Sequence, residues 1–207
     1  MKVKNFINNI FGKKTTDIET FANGLFIDFY NKNIFNSMKQ LFDDFIYEIY
    51  GKDISEYSFG QIYNEWIFLR LALSYNLPLI AYNNHPNIME IDQALTKRVT
   101  SILIFFCGEK YIHNAENMFQ QRASEYRICL SDKKNYIKNV AILFKFIIET
   151  IIRNNGIAEH MVSLSTAQIL SLPSAYHSAQ YFILISGVIT THQEVINKWS
   201  IAKTKNS

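Results

Sequence analysis

The sequence predicts an all-α protein, a single-domain irregular bundle of about seven or eight helices. Apolar residues make up 48% of the 207-residue chain and charged residues 19%, which is enough apolar surface for a sizeable core. Only seven Gly and three Pro are present, so the turns that a many-stranded sheet needs are scarce. The long apolar patterns repeat with a period of about 3.6 residues, as in amphipathic helices.

Two amphipathic helices are expected in the first quarter of the chain. Phe21, Leu25 and Phe29 recur at every fourth position and predict the first of them. A second apolar stripe covers 34–49 and leaves charged residues on the opposite face. Gly51 follows this stripe directly, and glycine is the residue type that most often ends a helix. The sequence therefore predicts a pair of helices that bury one face each.

Capping and breaking residues predict the next two helices. Ser58 and Gln61 have the spacing of a capping box, so a helix is expected to begin there and to continue to Pro78. Pro86 fits the first turn of the following helix, because a proline at that position loses no intrahelical hydrogen bond. Gly108 is placed to end this helix.

Two further helices are predicted in the middle of the chain. The first is expected over about 111–130. Ser131 or Asp132 is expected to cap the second, which has the widest apolar face in the sequence. Phe144 lies on that face and is expected in the core, whereas Lys138 lies on the solvent side.

The stretch 161–193 contains no Asp, Glu, Lys or Arg. A helix without charge on any side is expected in the middle of the bundle, together with the helix that carries Phe144. Small residues such as Ala179 and Gly187 would allow close helix crossings. Thr191 begins a second capping-box pattern, which suggests a kink or a new helix start. The alternative, that the segment is an apolar interface, stays open.

Cysteine usage and the chain ends indicate a cytoplasmic location without a membrane span. Cys107 and Cys129 form no CxxC pair and have apolar neighbours, as buried thiols in a reducing compartment do. No apolar run approaches the roughly 20 residues that cross a bilayer, and no signal-peptide core is present. Residues 1–14 form a short basic amphipathic lead-in that packs on the core or contacts a membrane surface, and 203–207 are expected to form a frayed tail.

One short motif has the residue types of a catalytic site. Arg153 and Asn154 are followed by His160, with six residues between the Arg and the His. The motif resembles the Arg-Asn…His motif of HEPN ribonucleases, which are small all-helical proteins. The resemblance implies that Arg153 holds the scissile phosphate, that Asn154 orients the pair, and that His160 assists proton transfer from the ribose hydroxyl without a metal. A guanidinium matches a phosphate, and an imidazole titrates near neutral pH.

A metal site is not expected. Glu109, His113 and Glu116 would share one face of a helix, and their side chains are possible ligands. Metal sites in helical bundles, however, take ligands from several helices, and the sequence shows no second cluster of this kind. A solvated polar face explains the three residues. We therefore expect neither a metal nor a cofactor.

The remaining features favour a protein that binds rather than catalyses. The acidic patch formed by Asp43, Asp44 and Glu48 has no accompanying phosphate loop, so it is a solvated face or a partner contact. Lys outnumbers Arg by sixteen to five, which disfavours nucleic acid as a partner except under the ribonuclease alternative. The leading hypothesis is a non-enzymatic protein-interaction module of a bacterium-like cytoplasm, similar to immunity, antitoxin or adaptor proteins.

Overall fold

The predicted helical periodicity corresponds to eight α-helices in the computed structural model, which describes residues 14–51, 54–154 and 174–201. A 3₁₀ turn and a two-stranded parallel sheet complete the described part. The elements are β1 (Lys14–Thr16), α1 (Ile18–Leu25), α2 (Ile27–Tyr30), α3 (Lys32–Tyr50), α4 (Glu56–Ala81), α5 (Ile88–Cys107), the 3₁₀ turn (Glu109–Tyr111), α6 (Ile112–Ser131), α7 (Tyr136–Asn154), α8 (Ser174–Lys198) and β2 (Trp199–Ile201). The prediction of an all-α bundle is confirmed.

Capping residues fix several helix ends. The Asp17 carboxylate accepts a hydrogen bond of 2.8 Å from the backbone N–H of Thr20 and begins α1. The side chain of Asn31 caps α3 in the same way. Gly51 and Gly108 follow α3 and α5 with φ angles of 78° and 76°, in a region that L side chains rarely adopt. Both predicted helix stops are confirmed.

The helix predicted over 58–78 is longer at both ends. Ser55 caps α4, because its Oγ accepts a hydrogen bond of 3.1 Å from the backbone N–H of Ser58. At the other end α4 passes through Pro78 and continues to Ala81. Packing on almost every side of α4 offsets the hydrogen bond that a proline removes from a helix interior. Pro86 lies in the turn before α5 rather than in its first turn.

The predicted kink in the last helix is wrong, since α8 is continuous from 174 to 198. The Thr191 hydroxyl donates to the backbone carbonyl of Gly187 at 3.0 Å, so it acts inside the helix and not as a cap. Ala179 is exposed, and a Cβ added to Gly187 would meet no atom within 4 Å. The expected tight crossings are therefore absent at these two positions. The side of α8 that packs on the core carries larger residues instead, including Tyr181 and Ile185.

A short parallel sheet, which was not predicted, joins the two ends of the described chain. Lys14 pairs with Trp199, and Thr16 pairs with Ile201. Strands of three residues are too short to show the alternating pattern on which strand prediction relies. Lys14, the last residue of the predicted basic lead-in, thus belongs to a strand. Residues 1–13 and 202–207, which hold the rest of the lead-in and the predicted tail, lie outside the described residues.

The buried apolar residues of the described chain form one contiguous cluster, with α4 at its centre. The rings of Phe42 and Trp66 stack with their centroids 4.7 Å apart, and the ring of Phe144 lies 6.0 Å from that of Trp66. Phe144 is fully buried and Lys138 is exposed, as predicted. For the part 174–193 the expectation that the uncharged segment is central is corrected, because α8 packs against α4 and α7 on one side and is exposed on the other; the part 161–173 lies outside the described residues.

Two other predictions concern cysteines and membranes. Cys107 and Cys129 are half-buried and form no disulfide. They are therefore free thiols, but less enclosed than the sequence suggested. Among the helices described, none combines the length and the apolar character needed to cross a bilayer.

Candidate functional site

A cavity of about 550 Å³ lies between α1, α2 and α3 on one side and α8 on the other, with α4 behind it. Its lining is mainly apolar, with a small set of polar side chains that includes Arg70. We call it the Arg70 cavity. Cavities of roughly 300–1,000 Å³ with a few convergent polar groups are typical of small-molecule sites. The polar groups of this cavity therefore define the candidate functional site.

Arg70 provides the buried charge of the cavity. Its side chain is fully buried and forms an ion pair with the carboxylate of Asp28 from α2. The guanidinium carbon lies 4.4 Å from the ring centroid of Phe29 and 5.7 Å from that of Trp66, within the range of cation–π attraction. The ion pair and the two rings compensate for removing the charge from water.

Several polar atoms around this ion pair have no hydrogen-bond partner within the described chain. They are Nε and Nη1 of Arg70, Oδ1 of Asp28 and Nε1 of Trp66, and all of them are buried. Buried polar groups are nearly always hydrogen-bonded, because an unsatisfied group loses its contact with water without compensation. Three donor atoms and one acceptor atom therefore remain unused beside the same cavity.

His192 from α8 is the second buried polar group of the cavity. Its Nδ1 lies 2.8 Å from the carbonyl oxygen of Val188, and its Nε2 lies 2.7 Å from Oγ of Ser74. A carbonyl can only accept, so Nδ1 carries a proton. In the neutral imidazole Nε2 then accepts from the Ser74 hydroxyl, whose contact with the carbonyl oxygen of Leu25 is longer, at 3.4 Å. Burial lowers the pKa of His192 below its ordinary value of 6.5, which keeps the imidazole neutral. Both ring nitrogens are thus occupied.

The Ser74 and His192 pair has the atoms of a nucleophile and its general base, but its setting does not support catalysis. Ser74 is fully buried in the interior of α4, so its hydroxyl offers no approach for a substrate. In hydrolases a third group, commonly a carboxylate, orients the base, whereas here a backbone carbonyl accepts from His192. The pair joins α4 to α8, and His192 lines the cavity.

An exposed apolar surface lies beside the cavity on α7 and α8. Ile142 and Phe182 line a groove of about 400 Å³ between these helices and are 52% and 43% exposed. Phe146 lies one turn further along α7 and is 64% exposed, and Ile183 of α8 is also 64% exposed. We call these four side chains the apolar face. Ile183 also lines the Arg70 cavity, so the apolar face and the cavity adjoin.

The predicted catalytic residues are only partly placed. Arg153 and Asn154 lie at the C-terminal end of α7 and are exposed. Nη2 of Arg153 lies 3.8 Å from Oε2 of Glu149, so an acidic group accompanies the guanidinium that would hold a phosphate. His160 lies outside the described residues. The ribonuclease alternative with Arg153, Asn154 and His160 therefore stays a prediction.

The other polar clusters of the sequence do not form sites. Glu109 lies in the 3₁₀ turn and not in α6, which takes it out of helical register with His113 and Glu116. In the part of the chain that the structure describes, no three His, Cys, Asp or Glu side chains are arranged to hold a metal. In the acidic patch of α3, Asp43 pairs with Lys39 and the other two residues are exposed.

Arg70 belongs to no motif, but the sequence around it contains a signal for the cavity. Arg70 is the only charged residue in the stretch 66–79, which is otherwise strongly apolar. A single charge in an apolar helical run indicates a buried and paired group, because an unpaired charge in a core is too costly. The partners Asp28 and His192 could not be found in this way, since each occurs on a separate helix.

Comparisons with known proteins neither support nor contradict this site. No protein-family model matches the chain, and the searches of curated proteins and of solved structures find no significant match.

Proposed function

We propose that this protein is a non-enzymatic interaction module that binds another protein through the apolar face. The observation that carries the proposal is the exposure of Ile142, Phe146, Phe182 and Ile183 on neighbouring helices. Single exposed apolar residues are normal on protein surfaces, whereas adjacent ones beside a groove are typical of interaction sites. No side chain of this group has a role in the core.

The composition of α8 supports a protein partner. The helix carries no charged residue over 174–193, although its outer side is exposed. The centres of protein–protein interfaces are depleted in charge and enriched in aromatic residues, which provide most of the binding energy. Phe146 and Phe182 are therefore the expected anchors, and the groove beside Phe182 would receive an apolar side chain of the partner.

The edge of the groove suggests the charge of the partner. Lys138 lines it on the α7 side, next to Ile142, and is exposed. Lys145 also lines it, but its Nζ lies 3.0 Å from Oγ of Ser178 and 3.7 Å from Oε1 of Glu149. Complementary charge around an apolar centre steers association and fixes the orientation of the complex. The partner is accordingly expected to present apolar side chains flanked by acidic residues. Immunity, antitoxin and adaptor proteins of a bacterium-like cytoplasm act by binding of this kind.

Site-specific crosslinking followed by affinity measurement tests the proposal. A photoreactive phenylalanine analogue replaces Phe182 in one variant and Met89, which is 74% exposed on α5, in a matched control. A protein crosslinked in source cells only through position 182 is then purified and titrated by calorimetry. We expect Phe182→Glu to weaken its binding by about tenfold or more, and Met89→Glu to leave it unchanged. Equal affinity for both variants would overturn the proposal.

A further inference from the structure

The Arg70 cavity differs from the apolar face in its buried polar groups, and we propose that it binds a small uncharged amphipathic molecule. Such a molecule has an apolar body and one group, a hydroxyl or a primary amide, that both donates and accepts a hydrogen bond. This inference goes beyond the proposed function, because the occupant is a small molecule and the binding site is the cavity. It rests on the size of the cavity, on its lining and on the unpaired polar atoms in its wall.

The size and lining of the cavity indicate an apolar ligand body. The cavity of about 550 Å³ opens to solvent, and Ile27, Leu41 and Ile183 in its lining are 54%, 62% and 64% exposed. Contiguous apolar surface left in water is typical of a binding site. Its wall is formed mainly by aliphatic side chains of α3 and α8 together with Trp66. An apolar body placed there would remove this surface from water.

The mouth of the cavity is open because two glycines line it. Gly24 lies on α1 and Gly187 lies on α8, and a Cβ added to either would meet no atom within 4 Å. Ile27 and Ile183 at the same rim are exposed. A small molecule can therefore enter from solvent without displacing a side chain at these two glycine positions.

The buried polar atoms determine the chemistry of the ligand's polar group. Arg70 and Asp28 form a pair whose charges cancel, so a charged ligand would bring an uncompensated charge into the cavity. Arg70 and Trp66 have unused N–H donors, whereas Oδ1 of Asp28 is an unused acceptor. A hydroxyl or primary amide matches both. A carboxylate has no donor and is repelled by Asp28, and an ammonium has no acceptor and is repelled by Arg70.

The ligand reaches this pair from the Asp28 side. The Asp28 side chain is 19% exposed, whereas the Arg70 side chain is 1% exposed. A polar group that enters the cavity therefore meets the carboxylate first. Because the unpaired atoms of Arg70, Trp66 and Asp28 are buried below the cavity surface, binding requires the carboxylate to rotate before the ligand reaches the guanidinium. The neutral His192 and its two hydrogen bonds leave no further charge on this wall.

An octyl series with four different head groups tests the proposal. Octan-1-ol, octanamide, octanoate and octylammonium are titrated into ¹⁵N-labelled full-length protein, and the indole N–H signal of Trp66 is followed. The variant Trp199→Phe leaves one indole signal and so assigns it. We expect the alcohol and the amide to shift this signal with a Kd at least about tenfold lower than the two charged probes. Octanoate or octylammonium binding as tightly as the neutral probes would overturn the inference, as would the absence of any shift.

Two glycine variants locate the binding. Gly187→Phe places a ring at the mouth of the cavity, and Gly60→Phe places one on an exposed position of α4 far along the helix from Arg70. Both changes raise helix propensity, and neither Cβ meets an atom within 4 Å, so both variants are expected to fold. We expect Gly187→Phe to abolish octanamide binding and Gly60→Phe to preserve it. Unchanged binding by Gly187→Phe, with an unchanged circular dichroism spectrum, would contradict the site. None of these readouts involves the protein partner of the apolar face, so the two proposals can fail separately.

Discussion

Oγ of Ser74 lies 2.7 Å from Nε2 of His192, although 118 residues separate the two in the chain. Burial lowers the pKa of His192, with smaller opposing effects from the carbonyl of Val188 and from Asp28. The unfolded chain therefore binds a proton at His192 more readily than the folded chain does. The contribution of this group to stability is complete above the unfolded pKa of 6.5 and is lost as the pH falls below that value toward the folded pKa.

We expect the free energy of unfolding to decrease between about pH 7.5 and pH 5. The decrease should be smaller in His192→Gln, because this variant lacks the buried imidazole. Urea unfolding at both pH values measures the effect. His113→Gln, at an exposed position of α6, is the matched control and should retain the full decrease. An identical pH dependence in wild type and His192→Gln would show that the buried imidazole is not responsible.

Phe144 is the most informative core position of α7. Its ring lies 6.3 Å from that of Phe42, 6.0 Å from that of Trp66 and 5.8 Å from that of Tyr181. Phe144→Ala should cost about 3–5 kcal/mol, because it removes an aromatic group from the packed core and leaves a cavity. Lys138→Ala on the exposed side should stay within about 0.5 kcal/mol. Similar small losses in urea unfolding would contradict the burial of Phe144.

The sequence predicts the helices well where one face is apolar and glycine marks the end. The helices α3 and α5 end at Gly51 and Gly108 as expected, since a positive φ favours glycine whatever packs nearby. The helix α4 is harder to place, because it is apolar on nearly every side and continues through Pro78. Its central position follows from packing with α5, α6, α7 and α8, and no local pattern encodes that packing.

The candidate site is less predictable than the fold. Arg70 is visible as the single charge in the apolar stretch 66–79, but Asp28 is 42 residues away in the chain and His192 is further still. Such a cluster forms only when three helices meet, so spacing along the chain cannot reveal it. Motifs consist of residues close in sequence, as Arg153 and Asn154 are, and the structure places these two on an exposed helix end.

Ala179 tests which side of α8 faces the core. The sequence places it at a tight helix crossing, where Ala179→Leu would cost about 1–3 kcal/mol. In the structure it is exposed beside the groove between α7 and α8. We therefore expect Ala179→Leu to change the free energy of urea unfolding by no more than about 0.5 kcal/mol. The same variant should alter the affinity for the protein partner, because the larger side chain protrudes into the groove. A loss of several kcal/mol would restore the buried interpretation.

The ion pair of Arg70 and Asp28 should respond unequally to the loss of either partner. Asp28→Leu leaves the fully buried guanidinium without a counter-charge, whereas Arg70→Met leaves a carboxylate whose side chain is 19% exposed and can reach water. We expect Asp28→Leu to lower the free energy of unfolding by about 3–5 kcal/mol and Arg70→Met to lower it clearly less. The reason is that an unpaired charge costs more when it is fully buried, as the guanidinium is, than when it is partly exposed, as the carboxylate is. The cation–π contact between the Arg70 guanidinium and the ring of Phe29, 4.4 Å apart, offsets only part of that cost.

The double variant Arg70→Met with Asp28→Leu separates pairing from packing. It leaves no uncompensated charge, so its cost should be smaller than the sum of the two single costs by about 0.5–3 kcal/mol. The three variants and the wild type form a double-mutant cycle that urea unfolding can measure. Because both replacements are apolar, the double variant also removes the charged pair by which the cavity is proposed to select among the head groups of the octyl probes. Additive costs would mean that the two charges do not interact in solution, and a costlier Arg70→Met would mean that the cation packs against its rings more strongly than it pairs with Asp28.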